Sequence, residues 1–90
     1  MTISKHGLER MKERGGFGKS GKQMLKIATR AYEKGVGYGD ASGKLKNFMK
    51  KKMLCHGSSY ILKIYGGYLF IFGNDTLITM YPVPGKLLAG

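Results

Sequence analysis

The sequence predicts a single α+β domain, in which two to three N-terminal helices pack on one face of a three- to four-stranded antiparallel sheet. Three observations predict this class. A chain of 90 residues is long enough for one small domain only. Helical spacing of apolar residues recurs through residues 4–53, and one apolar block with strand-like alternation dominates residues 58–83. Residues 85–90 are expected to form a loose tail.

Three helices are predicted before the sheet. Residues 4–14 have Ser4 as an N-cap candidate and an apolar stripe, although a glycine in the first turn weakens helix propensity. A Ser-x-x-Gln capping box at residues 20–23 opens a second helix that should run to Gly35 and be the main cover of the sheet. Residues 44–53 predict a third helix whose lysines face outward.

The apolar block at residues 60–81 predicts a three-stranded meander at the C-terminal end. The glycine pair at 66–67 and the Asn-Asp pair at 74–75 both suit two-residue hairpin loops, because the central residues of such loops need positive φ. If both loops have two residues, Tyr65 lies opposite Tyr68, and the register of all three strands follows.

This register divides the sheet into an aliphatic face and an aromatic face. The aliphatic face is expected to be the core under the helices and contains Leu62, Ile64, Leu69, Ile71, Ile78 and Met80. The aromatic face is expected to be an open functional surface with two cross-strand rows, Tyr65–Tyr68–Tyr81 and Lys63–Phe70–Thr79. The alternative is that the aromatic face is a second core or an oligomer interface.

The charge balance predicts a polyanionic partner. Sixteen Lys+Arg against five Asp+Glu give a formal net charge of +11, which favours nucleic acid first and an anionic membrane or acidic protein second. The sequence has no apolar run that would span a bilayer and no signal-peptide pattern at its start, so we expect a cytoplasmic protein that does not bind membrane. Cys55, His6 and His56 are too few for a zinc set, and no metal or other cofactor is expected.

A row of charged residues follows one side of the first predicted helix. His6, Arg10 and Arg14 are four residues apart, which stacks an imidazole and two guanidinium groups where they are available to phosphate or carboxylate groups. The alternative is that this stripe is only the solvated face of a terminal helix.

Two segments together resemble the compact ribonuclease-like fold shared by barnase, the RelE toxins and colicin-type tRNA nucleases. The first is the His-x-x-x-Arg-x-x-x-Arg helix from His6 to Arg14, and the second is the strand at residues 78–81, with a threonine and an aromatic residue. The resemblance implies metal-independent RNA cleavage of the toxin type, in which 2′-OH attack leaves a 2′,3′-cyclic phosphate. It implies His6 as acid or base, Arg10 and Arg14 as a phosphate clamp, Thr79 as a donor to a phosphoryl oxygen, and Tyr81 as an orienting group or proton donor.

The same resemblance implies contacts with a tRNA or an mRNA and restraint by an acidic antitoxin or immunity protein. The residues expected to bind RNA are Lys5, Lys19, Lys50, Lys51, Lys52, Lys63, Tyr65, Tyr68 and Phe70, with the aromatic rings stacking on bases. The main alternative is a non-catalytic binding protein on the same scaffold, either an RNA or DNA binder or a phage-encoded inhibitor of a nucleic-acid-processing machine. The oligomeric state stays open.

Overall fold

The structure, a computed structural model, describes residues 2–15, 21–41, 43–56 and 60–88. Its helices are α1 Lys5–Gly15, α2 Gly21–Lys34, α3 Gly43–His56 and α4 Gly85–Leu88, with a 3₁₀ turn at Tyr38–Asp40. Its strands are β1 Thr2–Ile3, β2 Val36–Gly37, β3 Ile61–Tyr65, β4 Tyr68–Gly73 and β5 Thr76–Pro82. They form one five-stranded sheet in the order β1-β5-β4-β3-β2.

The α+β class is confirmed, and the main helices and meander strands lie close to their predicted positions. The sheet has two short edge strands that were not predicted. One of them, β2, is antiparallel to β3, whereas β1 is parallel to β5, so the sheet is mixed rather than purely antiparallel. The expected loose tail instead begins with the helical turn α4. The capping box at residues 20–23 has its serine outside the described residues.

Both predicted hairpin loops are confirmed. Gly66 and Gly67 have φ values of 58° and 84°, and Asn74 and Asp75 have φ values of 53° and 60°. These positive values at both central residues match the tight hairpin turns predicted from the sequence. The residues that flank each loop also pair as predicted. Tyr65 lies opposite Tyr68 across the first loop, and Gly73 lies opposite Thr76 across the second.

A β-bulge in β5 changes the register within the second hairpin. Phe72 pairs with Leu77 and Ile71 pairs with Thr79, so Ile78 is an extra residue with no partner of its own on β4. Because side chains alternate between the two faces, one extra residue turns every later side chain of β5 to the face opposite its predicted one.

The bulge therefore makes both predicted cross-strand rows wrong in β5. Phe70 pairs with Met80 rather than with Thr79, and Tyr81 lies opposite Leu69. Thr79 and Tyr81 consequently face the aliphatic side of the sheet, and Met80 faces the aromatic side. The β3–β4 part of each row is as predicted.

The aromatic face is buried under α1 and α2, which corrects the expectation of an open surface. Phe70 and Phe72 are 1% and 0% exposed, and the ring of Tyr32 from α2 meets Phe72 edge-on at 5.1 Å between centroids. This first core contains Met11, Met24, Ala28, Ala31, Phe70, Phe72, Leu77 and Met80. A strand with large apolar side chains on both faces needs cover on both, so helices on a single face do not suffice.

The aliphatic face is covered by α3, not by α2 as predicted. Met49 of α3 is fully buried there, and Leu87 of α4 packs at the edge. This second core contains Ala41, Met49, Leu62, Ile64, Leu69, Ile71 and Val83. The sheet is thus the middle layer between α1 and α2 on one side and α3 on the other.

A backbone hydrogen bond joins the start of α1 to β5. Ser4 caps the helix by accepting a 2.9 Å hydrogen bond from the Gly7 amide, and the Ser4 amide donates to the Leu77 carbonyl at 2.9 Å. Gly7 is buried at this contact, and a Cβ added to it would lie 2.6 Å from the Leu77 oxygen. The close approach of α1 to the strand therefore requires glycine at this position.

We predict that Gly7→Ala lowers the free energy of unfolding by about 1–2 kcal/mol, because overpacking outweighs a gain of up to about 1 kcal/mol in helix propensity. Urea unfolding followed by circular dichroism measures the change. Gly39→Ala is the matched control, since no atom lies within 4 Å of the added Cβ. A stabilised Gly7→Ala variant would contradict the close approach of α1.

Candidate functional site

Three polar side chains of α1 form one connected group, which we call the α1 cluster: His6, Arg10 and Glu13. The Arg10 Nε donates to Nε2 of His6 at 3.3 Å, and the Arg10 Nη1 lies 2.7 Å from Oε2 of Glu13. Spacings of four and three residues place all three groups on one side of the helix. The Arg10 and Glu13 side chains are 31% and 60% exposed, so the cluster is open to a ligand from solvent.

The α1 cluster contains the group types that proton transfer at a phosphate requires. In this hydrogen bond Nε2 of His6 is the acceptor. Carboxylate and imidazole groups exchange protons, while a guanidinium binds phosphoryl oxygens. His6 and Arg10 were predicted from the sequence as site residues, whereas Glu13 was not, although it follows Arg10 by three residues. Arg14 belongs to α1, but its side chain lies outside the described ones.

The structure does not bring Thr79 and Tyr81 to the α1 cluster. Both lie on the face covered by α3, and the sheet separates them from α1. Thr79 is 1% exposed, and the ring of Tyr81 is covered by the Lys52 ammonium group at 4.2 Å from its centroid. The predicted catalytic set is therefore divided between two layers of the molecule.

The Thr79 hydroxyl is buried without a hydrogen bond in the part of the chain that the structure describes. Such a group has lost its water contacts and gained no replacement, which costs about 1–3 kcal/mol. It belongs to the minority of buried polar groups that need a specific explanation.

The aromatic residues predicted to stack on bases are engaged in the first core. Phe70 is 1% exposed and cannot reach a base in this conformation. Tyr65 and Tyr68 are half-buried and pack against the same core. Lys63 is half-buried on the neighbouring strand, where its Nζ lies beside Gly37. The face that was expected to grip single-stranded RNA is thus largely internal.

The lysines of α3 divide into exposed and packed side chains. The exposed ones are Lys44, Lys50 and Lys51. Lys52 is half-buried and lies over the ring of Tyr81, an arrangement that holds its charge near the edge of the second core. In the other layer Lys5 is exposed on α1, whereas Lys19 lies outside the described residues.

A second cationic row, not noted in the sequence analysis, follows the outer side of α2. Its members are Lys22, Lys26, Arg30 and Lys34, all exposed and four residues apart. We call it the α2 row. An open depression of about 290 Å³ lies along it, lined by Gln23, Lys26, Ile27 and Arg30. The regular four-residue spacing of these cations is a signal that the sequence contains.

The described residues offer neither a metal-binding group of side chains nor a membrane-spanning helix. They contain no group of three or more His, Cys, Asp or Glu side chains that would hold a metal ion. Their helices include none that is long and apolar enough to cross a membrane.

Comparisons with known protein families, curated proteins and solved structures found no match for this chain.

We predict that Thr79→Val raises the free energy of unfolding by about 1 kcal/mol, because it replaces an unpartnered buried hydroxyl with a methyl group of the same shape. Thermal or urea unfolding measures the change. Thr29→Val is the matched control, since the Thr29 hydroxyl donates to the Leu25 carbonyl at 2.8 Å and its removal should give no gain. A loss of stability in Thr79→Val would mean that the hydroxyl has a partner in solution.

Proposed function

We propose that this chain binds RNA through the cationic outer faces of its helices. The observation that carries the proposal is the outer side of α3, where Lys44, Lys50 and Lys51 are exposed on a helix with no acidic residue. With both faces of the sheet covered, the helices provide most of the surface that a large ligand would meet. A formal net charge of +11 then favours a polyanion of repeated negative charge.

The geometry supports recognition of the phosphate backbone more than of the bases. Phe70 is buried, and Tyr65 and Tyr68 are engaged in the first core, so a stacking platform is lacking among the predicted residues. Contacts from lysine ammonium groups to phosphates give affinity with little sequence preference. The choice of RNA over DNA rests on the resemblance of the α1 motif to ribonuclease-like proteins.

A second candidate function is metal-independent RNA cleavage of the toxin type, and the α1 cluster is the observation that favours it. The 2′-oxygen would attack the adjacent phosphorus, and the bond to the 5′-oxygen would break, leaving a 2′,3′-cyclic phosphate. In this proposal the Glu13 carboxylate accepts the 2′-OH proton, and Arg10 binds the phosphoryl oxygens. His6 takes up a proton on Nε2, which ends its hydrogen bond with Arg10, and then gives that proton to the 5′-oxygen. In this arrangement Thr79 and Tyr81 are not in contact with the substrate.

An acidic inhibitor protein fits either function. The same exposed cations that attract RNA would attract a carboxylate-rich surface, which would compete with RNA for the helices. This partner follows from the resemblance to toxin-type ribonucleases and from surface charge.

Binding should depend steeply on salt and on the α3 lysines. We predict that Lys50→Gln with Lys51→Gln reduces the slope of log affinity against log salt by about 1.4, at about 0.7 per lost phosphate contact on single-stranded RNA. Fluorescence anisotropy with a labelled RNA oligonucleotide measures it. The control is Lys50→Arg with Lys51→Arg, which keeps both charges. The binding proposal would be refuted if the wild type did not bind the RNA at low salt, or if its affinity did not change with salt.

Cleavage is tested by incubating the protein with tRNA or mRNA in EDTA and identifying 2′,3′-cyclic phosphate ends. We predict that His6→Asn and Glu13→Gln each lower the cleavage rate by about a hundredfold, the lower end of the range for a general acid or base. Glu9→Gln, an exposed glutamate on the same helix, is the matched control. No cleavage by wild type, or full cleavage by the His6→Asn Glu13→Gln double variant, excludes this candidate.

A further inference from the structure

The depression on α2 has a lining suited to an anion. Lys26 and Arg30 both line it, and neither takes part in an ion pair within the described part of the chain. Arg10 of the α1 cluster differs, since its guanidinium is already bound to a carboxylate at 2.7 Å. The positive charges of Lys26 and Arg30 are therefore not offset by a bound carboxylate of the described residues and can attract an anionic ligand.

The same lining supplies several donors beside an apolar side chain. Arg30 has a planar fork of N–H groups, and Lys26 has three ammonium donors. Ile27 also lines the depression, with its side chain half-buried against the first core. A phosphate group would accept hydrogen bonds from the two cations, and the sugar attached to it would contact Ile27.

The α2 row extends this site along the helix. Successive members are four residues apart, which is about 6 Å along the axis, so the row from Lys22 to Lys34 spans about 18 Å. The sole acidic residue of α2, Glu33, lies near the C-terminal end of the row. Evenly spaced cations match a ligand whose charges repeat at similar intervals, as the phosphates of a nucleic-acid strand do.

An anionic membrane fits this helix poorly. A membrane-bound amphipathic helix inserts its apolar side into the lipid. The apolar side of α2 is instead occupied, because Met24, Ala28 and Ala31 are at most 1% exposed in the first core.

We propose that the depression between Lys26 and Arg30 is a phosphate-binding site, and that the α2 row guides one RNA strand across it. This inference rests on the proposed function in that it takes RNA to be the ligand. It adds α2, in the layer opposite α3, to the helices that contact the RNA backbone, and it makes Lys26 and Arg30 contribute more affinity than the exposed lysines of α1.

The test compares two variants of the full chain that lose the same net charge of two units. Lys26→Gln with Arg30→Gln alters the depression, and Lys12→Glu alters an exposed lysine of α1 to which no RNA contact is assigned. Affinity for a labelled single-stranded RNA is measured by anisotropy over a range of salt. We expect the α2 variant to lose about tenfold or more in affinity and about 1.4 in salt slope, and the α1 variant to lose less than about threefold.

Separate arms identify the ligand and check the fold. Inorganic phosphate and a nucleoside monophosphate, added to isotope-labelled wild type, should shift the amide signals of Gln23 and Ile27, and the α2 variant should show no such shift. Thermal unfolding should be unchanged in both variants, because all three substituted side chains are exposed. A poly-glutamate peptide that displaces RNA and binds as tightly would overturn RNA as the ligand in favour of an acidic protein.

Two failures are distinguishable. If wild type does not bind RNA at low salt, both the proposed function and this inference fall. If wild type binds RNA and the α2 and α1 variants lose affinity equally, RNA binding stands, and the depression is refuted as a specific site because net charge alone accounts for the loss.

Discussion

The extra residue Ile78 in β5 is the constraint on which the arrangement of the molecule depends. Leu77 and Met80 are three residues apart and would face opposite sides of a regular strand, yet both are fully buried in the first core. The bulge makes that possible. The same shift turns Thr79 and Tyr81 beneath α3. One unpaired residue therefore completes the core under α1 and α2 and moves two polar side chains into the other layer.

Because helices cover both faces of the sheet, the candidate functional side chains lie on the outer surfaces of the helices. The three helices then differ in how their charges are used. On α1 two glutamates offset part of the positive charge, and Arg10 is held between His6 and Glu13. On α2 and α3 the exposed cations are in excess, and Glu33 is the single acidic residue of the two helices. This division underlies the proposals that α1 carries proton transfer and that α2 and α3 attract a polyanion.

Much of the fold could be predicted because its signals are local. The two hairpin loops follow from residues that accept positive φ, and the helices follow from apolar spacing and from the Ser4 cap. The candidate site was predicted less well. His6 and Arg10 do meet, since a spacing of four residues on one helix brings side chains together without tertiary contacts. Thr79 required a correct strand register over several residues, which a bulge can change anywhere along the hairpin.

The sequence by itself determined the three main helices and the meander strands, the conformation of the tight turns, the strong positive charge and the neighbours along each helix. All of these depend on interactions within a few residues of the chain or on composition alone. The tertiary structure decided which layer each strand residue faces, that the aromatic face is a core, and that Gly7 must be small to let α1 approach β5. These outcomes depend on contacts between residues far apart in sequence, because packing two apolar faces at once selects the register that buries both.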